Sequence, residues 1–220
     1  METIIPFLID LSANNTKEWF TANKKRFEQA KKEVAQLVDT LIQELAKEEP
    51  ALKDLSAKDC MFRIYRDVRF SKNKEPYKTN MGAVIAPGGR KSSQAFYYLH
   101  LDPAGCFLAG GRYMPESDEI KNIRQEIDYN LDEFEKILSE ASFKKHFKGL
   151  DDNERLKTTP KGYDADNPAI EYLKNKSFTV SYPFEAKAIL KKDFVSHCVE
   201  VYQSMRPFNA FLNRATALTD

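Results

Sequence analysis

The hydrophobic period of this chain changes twice along its length, and that change limits the folds open to it. Up to about residue 50 apolar residues recur every three or four positions: Phe27, Ala30, Val34, Leu37, Leu41 and Leu45 share one helical face, and Pro50 closes the run. Ahead of it, Asn15-Thr16-Lys17-Glu18 resembles a capping box with Asn15 in the capping role. Between residues 61 and 113 the texture turns to strands and turns. Phe62, Ile64, Val68 and Phe70 fall on one alternation and Arg63, Tyr65, Asp67 and Arg69 on the other, which predicts a half-buried strand with Arg66 on the otherwise apolar side. Residues 81–86, 95–101 and 105–109 read as further short strands, separated by Pro87-Gly88-Gly89 and Asp102-Pro103-Ala104-Gly105, so an antiparallel meander is expected.

After Pro115 the helical period returns, with Ile120, Ile123, Ile127, Leu131, Phe134 and Ile137 on one face. Asn167-Pro168 supplies a cap and a first-turn proline for a helix through Lys174; residues 177–182 read as a strand, and 192–218 as one or two helices broken near Pro207. With no repeat and no long linker, the pattern predicts one α+β domain over residues 1–220. Its helices pack around a mostly antiparallel sheet whose meander runs from about 61 to 113.

Charge is balanced overall, 34 basic against 33 acidic side chains, but not locally. Residues 58–91 hold nine Lys or Arg against three Asp or Glu, a local charge of +6, whereas residues 116–155 hold seven against twelve, a local charge of −5. A net charge of +1 argues against a protein that coats polyanions, while the basic segment would concentrate anions near it. Three cysteines without CxxC spacing, Cys60, Cys106 and Cys198, argue against a disulfide framework or a zinc knuckle and suit a reducing compartment, so the cytoplasm is expected. The start of the sequence has no basic, apolar leader, and no run approaches the roughly 20 apolar residues of a membrane span.

The run 62–80 carries the candidate site. Its six cations, Arg63, Arg66, Arg69, Lys72, Lys74 and Lys78, alternate with aromatic and apolar residues. Arginine offers a planar fork that matches phosphate and carboxylate, and lysine adds point charge. Two structural uses stand beside this one: pairing with the acidic stretch after Pro115, or a plain solvated strand face. Arg66, if it points inward, needs a partner. Gly110-Gly111-Arg112-Tyr113-Met114-Pro115 leads into a helix and could bring backbone amides to an anion, although its spacing is neither GxGxxG nor GxxxxGKS and a glycine turn is the commoner explanation. Trp19, Tyr77 and Tyr113 are candidate stacking surfaces, with core anchoring the commoner use of a Trp-Phe pair. His100 is the candidate general acid or base; neither HExxH nor a GxSxG serine occurs, so a metal or a nucleophile would have to be assembled from distant segments. The loop 160–168, with Lys161, Tyr163, Asp164 and Asp166, could close over a site or simply cap the next helix.

Taken together, Asn14-Asn15, Trp19-Phe20, Asn23-Lys24, the run from Phe62 through Lys72, Pro76-Tyr77-Lys78-Thr79, Gly110-Gly111 and Pro160-Lys161-Gly162-Tyr163 make the chain resemble a bacterial and fungal family known as domain of unknown function 2461. The resemblance spans about residues 4–176 and implies one soluble intracellular domain, without implying a substrate, a cofactor or catalytic residues. Asn73 stands where the resemblance leads one to expect Asp. From the residues themselves, the expected function is binding of a small phosphorylated or carboxylated ligand by the basic segment, with nucleic-acid binding or a protein partner as alternatives.

Overall fold

A run of apolar residues at three- and four-residue spacing forms the longest helix of the N-terminal region, and the helices before it are set by their caps. The computed structural model describes residues 1–152 and 154–216. Helices α1 (Ile4–Ala13), α2 (Lys17–Ala22) and α3 (Lys24–Ala46) replace the single helix suggested for the first 50 residues. Thr16, not Asn15, caps α2, its side chain accepting the Trp19 N–H at 3.2 Å. The α3 residues expected on one face are all buried there, joined by Val38 and Ile42. A short α4 (Ala57–Cys60) follows, closed by a capping box between Ser56 and Asp59.

The strands are β1 (Met81–Ile85), β2 (Phe96–Leu101), β3 (Cys106–Arg112) and β4 (Phe178–Phe184), paired in chain order as one antiparallel four-stranded sheet. Three of them are the meander and one is the later strand read over residues 177–182. Helices α5 (Ser117–Tyr129), α6 (Leu131–Ser139), α7 (Ala141–His146), α8 (Ile170–Leu173) and α9 (Phe194–Thr216) complete the α+β architecture. The expected break at Pro207 does not occur: α9 runs through it, with Pro207 on the exposed side. Residues 217 and 218 of the expected tail lie outside the described residues.

The strand expected over 62–70 is not formed. This stretch and residues 76–80 make a ragged antiparallel hairpin held by the isolated bridges Met61 with Ala83 and Tyr65 with Tyr77. The Phe62 N–H donates to the Gly82 carbonyl at 3.0 Å, the Lys78 N–H to Ile64 at 2.8 Å and the Arg66 N–H to Pro76 at 2.9 Å. The alternation fails because only Ile64 is buried, whereas Phe62 is 42% and Phe70 97% exposed, so no apolar face exists to hold a regular strand. Pro76 also withholds a donor from the ladder.

The described chain divides into two compact units, each drawn from several segments. The first comprises residues 1–91, 98–108 and 183–200; the second comprises, among the described residues, 92–97, 109–152, 154–182 and 201–216. In the first, α1 packs on α3, and Phe7, Phe20, Phe27, Tyr65 and Tyr77 form an aromatic cluster in which Tyr77 stacks on Phe20 at 4.0 Å and 13°. In the second, Phe134 meets Tyr172, Phe208 and Phe211 at 5.0–6.1 Å, and Arg214 joins Glu126 of α5 to Glu133 of α6. No helix among the described residues is long and apolar enough to cross a membrane.

Candidate functional site

Alternation along β2 decides which side chains of the first unit face outward. Leu99 and Leu101 are buried, so Tyr98 and His100 stand on the opposite face, and Asp102 follows two residues later in the turn. The Tyr98 hydroxyl and His100 Nδ1 are 2.9 Å apart, and His100 Nε2 lies 3.9 Å from Asp102 Oδ2. Asp102 is held in place because its other oxygen accepts the Ala104 N–H at 2.8 Å. Phe107 of β3 stacks on the His100 ring at 4.5 Å and 18°. On the β1 side the surface is bare: a Cβ on Gly82 would come 2.6 Å from the Tyr98 hydroxyl, so glycine there makes room for the phenol.

The ragged hairpin brings cations to this face. Phe62 lies edge-on to Tyr98 at 6.3 Å, and the Lys78 ammonium sits over the Phe62 ring, 5.2 Å from its centre. Lys78 is half-buried and Arg63 exposed, and neither has an ion-pair partner among the described residues. Burial, and secondarily the neighbouring Arg63, holds the Lys78 ammonium below the usual lysine range. Burial pushes the Tyr98 phenol up to about 12, so it stays protonated as a donor. Burial also lowers His100, against a smaller opposing pull from Asp102. The result is a patch in which two cations without an ion-pair partner among the described residues adjoin, across the Phe62 ring, a series of hydrogen-bonding groups that ends at Asp102.

Of the other four cations in the run 62–80, three are tied up locally. Arg66 does not point into the fold: its side chain is 28% exposed and sits 3.4 Å from Glu75, one of the acids nearest in sequence. Arg69 forks onto Asp67 at 2.9 and 2.7 Å and holds that carboxyl below its ordinary range. The Lys74 ammonium donates to the Val68 carbonyl at 3.0 Å, and Lys72 is exposed. Asn73 donates to Glu75 Oε2 at 2.9 Å and accepts the Glu75 N–H at 2.8 Å, a pairing that Asp could make only in part, having no amide donor. Tyr77 is buried in the aromatic cluster, and Trp19, half-buried, packs 6.1 Å from Phe7.

Arg112 and Tyr113 belong to the second unit. Arg112 donates to both oxygens of Glu119 at 2.6 Å, and Tyr113 is 55% exposed. Gly110 and Gly111 lie inside β3 and not in a loop ahead of a helix. A Cβ on Gly110 would come 2.1 Å from Met205 Sδ, and one on Gly111, whose φ is 111°, would come 2.1 Å from the Phe178 carbonyl oxygen. Close packing therefore accounts for this glycine pair. In the loop 160–168, Asn167 donates to Asp128 at 2.7 Å while its oxygen accepts the Ala169 N–H at 2.7 Å; the cap expected at Asn167-Pro168 does not form, because α8 starts later, with Ala169 at its N-cap and no side chain capping it.

Of the residues singled out in the sequence, Arg63 neighbours Lys78, while the Phe62 and Tyr98 rings stand between Lys78 and His100. Asp102, Phe107 and Gly82 were not among them. A signal was available: counting by two from His100 along a strand reaches Tyr98 in one direction and Asp102 in the other.

Fold and face together define an α+β protein whose first unit presents an aromatic surface with two cations that have no ion-pair partner among the described residues and a tyrosine–histidine–aspartate series. The chain belongs to the family described as conserved hypothetical protein (DUF2461), whose model matches residues 3–211. No curated protein and no solved structure matches it.

Proposed function

We propose that the protein binds a small anionic ligand, phosphorylated or carboxylated, on the Lys78 face of its first unit. The observation that carries this reading is Lys78 itself. Its ammonium is half-buried, has no carboxylate partner among the described residues and has a second cation, Arg63, for a neighbour, an arrangement that an incoming anion relieves. Tyr98 and Phe62 give the ligand an aromatic wall, and the Tyr98 hydroxyl gives it a polar contact. The three cysteines, free and buried, accord with a reducing compartment such as the cytoplasm.

A thermal-shift screen against sulfate, phosphate, dicarboxylates, nucleotides and short oligonucleotides tests the reading. An anion at 100 times its dissociation constant stabilises by about 2.7 kcal/mol. At about 2–4 °C per kcal/mol for a chain of this size, the shift is easily seen. Lys78→Met is expected to abolish it with the fold intact. A response confined to oligonucleotides, with affinity falling steeply with salt, would instead favour the nucleic-acid alternative.

A further inference from the structure

We propose that Tyr98, His100 and Asp102 couple anion binding at the Lys78 face to the uptake of a proton. His100 takes the proton, and its hydrogen bond with Tyr98 then reverses so that the phenol donates to the bound anion. This rests on the anion reading above and says how that site is regulated.

The geometry sets the direction of the hydrogen bond in each state. In neutral His100 the ring proton belongs on Nε2, facing Asp102 at 3.9 Å, because an Nε2 lone pair there would face a carboxylate. Nδ1 is then an acceptor, and the single proton of Tyr98 is committed to it across 2.9 Å. When His100 is protonated both nitrogens carry hydrogen. Nδ1–H must now donate to the Tyr98 oxygen, and the phenol hydrogen is released to turn elsewhere. The phenol remains protonated throughout, since burial pushes it up to about 12.

The groups facing His100 allow this. Tyr98 shares its strand, Asp102 follows in the turn and β3 contributes the uncharged Phe107 ring, while Gly82 of β1 lies against the Tyr98 hydroxyl. Lys78 and Arg63 lie beyond the Phe62 ring. With no anion, burial favours neutral His100 over its charged form. A bound anion supplies the missing negative charge, so anion and proton each favour the other by the same factor.

Sulfate is the probe, because it stays a dianion across the range and any pH dependence then belongs to the protein. Calorimetric titration at about pH 5.5 and about pH 8, in two buffers of different ionisation heat, reads both affinity and protons taken up. Wild type should bind sulfate about tenfold more tightly at the lower pH, the scale of one charge-assisted hydrogen bond, and take up a fraction of a proton that for a tenfold coupling reaches about one half. His100→Gln should bind with a flat profile and no uptake, and Tyr98→Phe should keep the uptake but bind more weakly at low pH. If His100→Gln does not fold, the His100 imidazole titration followed by NMR serves instead: sulfate should raise its pKa. Equal affinity at both pH values, or a His100 titration that sulfate leaves unmoved, refutes the coupling and leaves the anion site standing. Failure of sulfate to bind at either pH overturns both.

Discussion

Asn15 links the α1–α2 connection to the segment that carries Lys78, and replacing it should show. Its amide mimics a strand neighbour: Nδ2 donates to the Tyr77 carbonyl at 3.0 Å, and Oδ1 accepts the Tyr77 N–H at 3.1 Å. Asn15→Ala removes both bonds and leaves the two Tyr77 backbone groups without their partner in a partly buried place. At about 1 kcal/mol per bond, and more where a buried group goes unsatisfied, the loss should be about 2–4 kcal/mol. For a domain of this size that lowers Tm by roughly 5–15 °C. Urea unfolding followed by circular dichroism measures it, with Asn14→Ala as control, since Asn14 makes one exposed bond to the Asp10 carbonyl. Asn15→Asp should lose nearly as much as Asn15→Ala, because a carboxylate can accept from Tyr77 but would face its carbonyl without a donor. A loss below about 0.5 kcal/mol for Asn15→Ala, or an Asp variant as stable as wild type, would refute the reasoning.

Three further outcomes follow from the packing. Gly82→Ala should destabilise by about 1–3 kcal/mol, since its Cβ meets the Tyr98 hydroxyl at 2.6 Å, and combining it with Tyr98→Phe should cost less than the sum of the two. Gly111→Ala should be the most damaging small substitution in the sheet, at more than about 3 kcal/mol by urea midpoint. It combines a φ of 111° with a 2.1 Å approach to the Phe178 carbonyl, and a loss under 1 kcal/mol would contradict that account. The hydrogen bond from Arg214 holds the Glu133 carboxyl below its ordinary range, so its contribution is in place above about pH 4.3 and is lost as pH falls through the lowered folded value; Arg214→Gln should therefore flatten the acid limb of the stability profile below that pH.

Where the sequence was legible, one physical signal dominated the outcome. The α3 face was readable because its apolar spacing has no competing use, and β1 to β3 because Pro87-Gly88-Gly89 and Asp102-Pro103-Ala104-Gly105 leave little room for anything but turns. The run 62–70 shows the opposite case. Alternation there is as regular as in β2, but burial depends on a neighbouring strand that the chain does not supply, and Phe62 and Phe70 remain in solvent. Gly110-Gly111 suggested an anion loop, and only Met205 and Phe178, 95 and 67 residues away in sequence, show that the pair exists to let elements approach. Likewise the six cations could be counted, but which of them lack partners turns on Asp67, Glu75 and the Val68 carbonyl, all set by the irregular path of the hairpin.

The ammonium of Lys78 is the direct witness of the proposed site. Selective NMR of lysine side chains during a sulfate titration would follow its Cε resonance beside those of the exposed Lys72 and Lys74. Binding at the proposed face moves the Lys78 signal with saturation and raises its pKa from its lowered value toward that of an ordinary lysine. If Lys78 stays unmoved, or drifts only in step with Lys72 and Lys74, its lack of a carboxylate partner among the described residues has no bearing on ligand binding and the account is wrong.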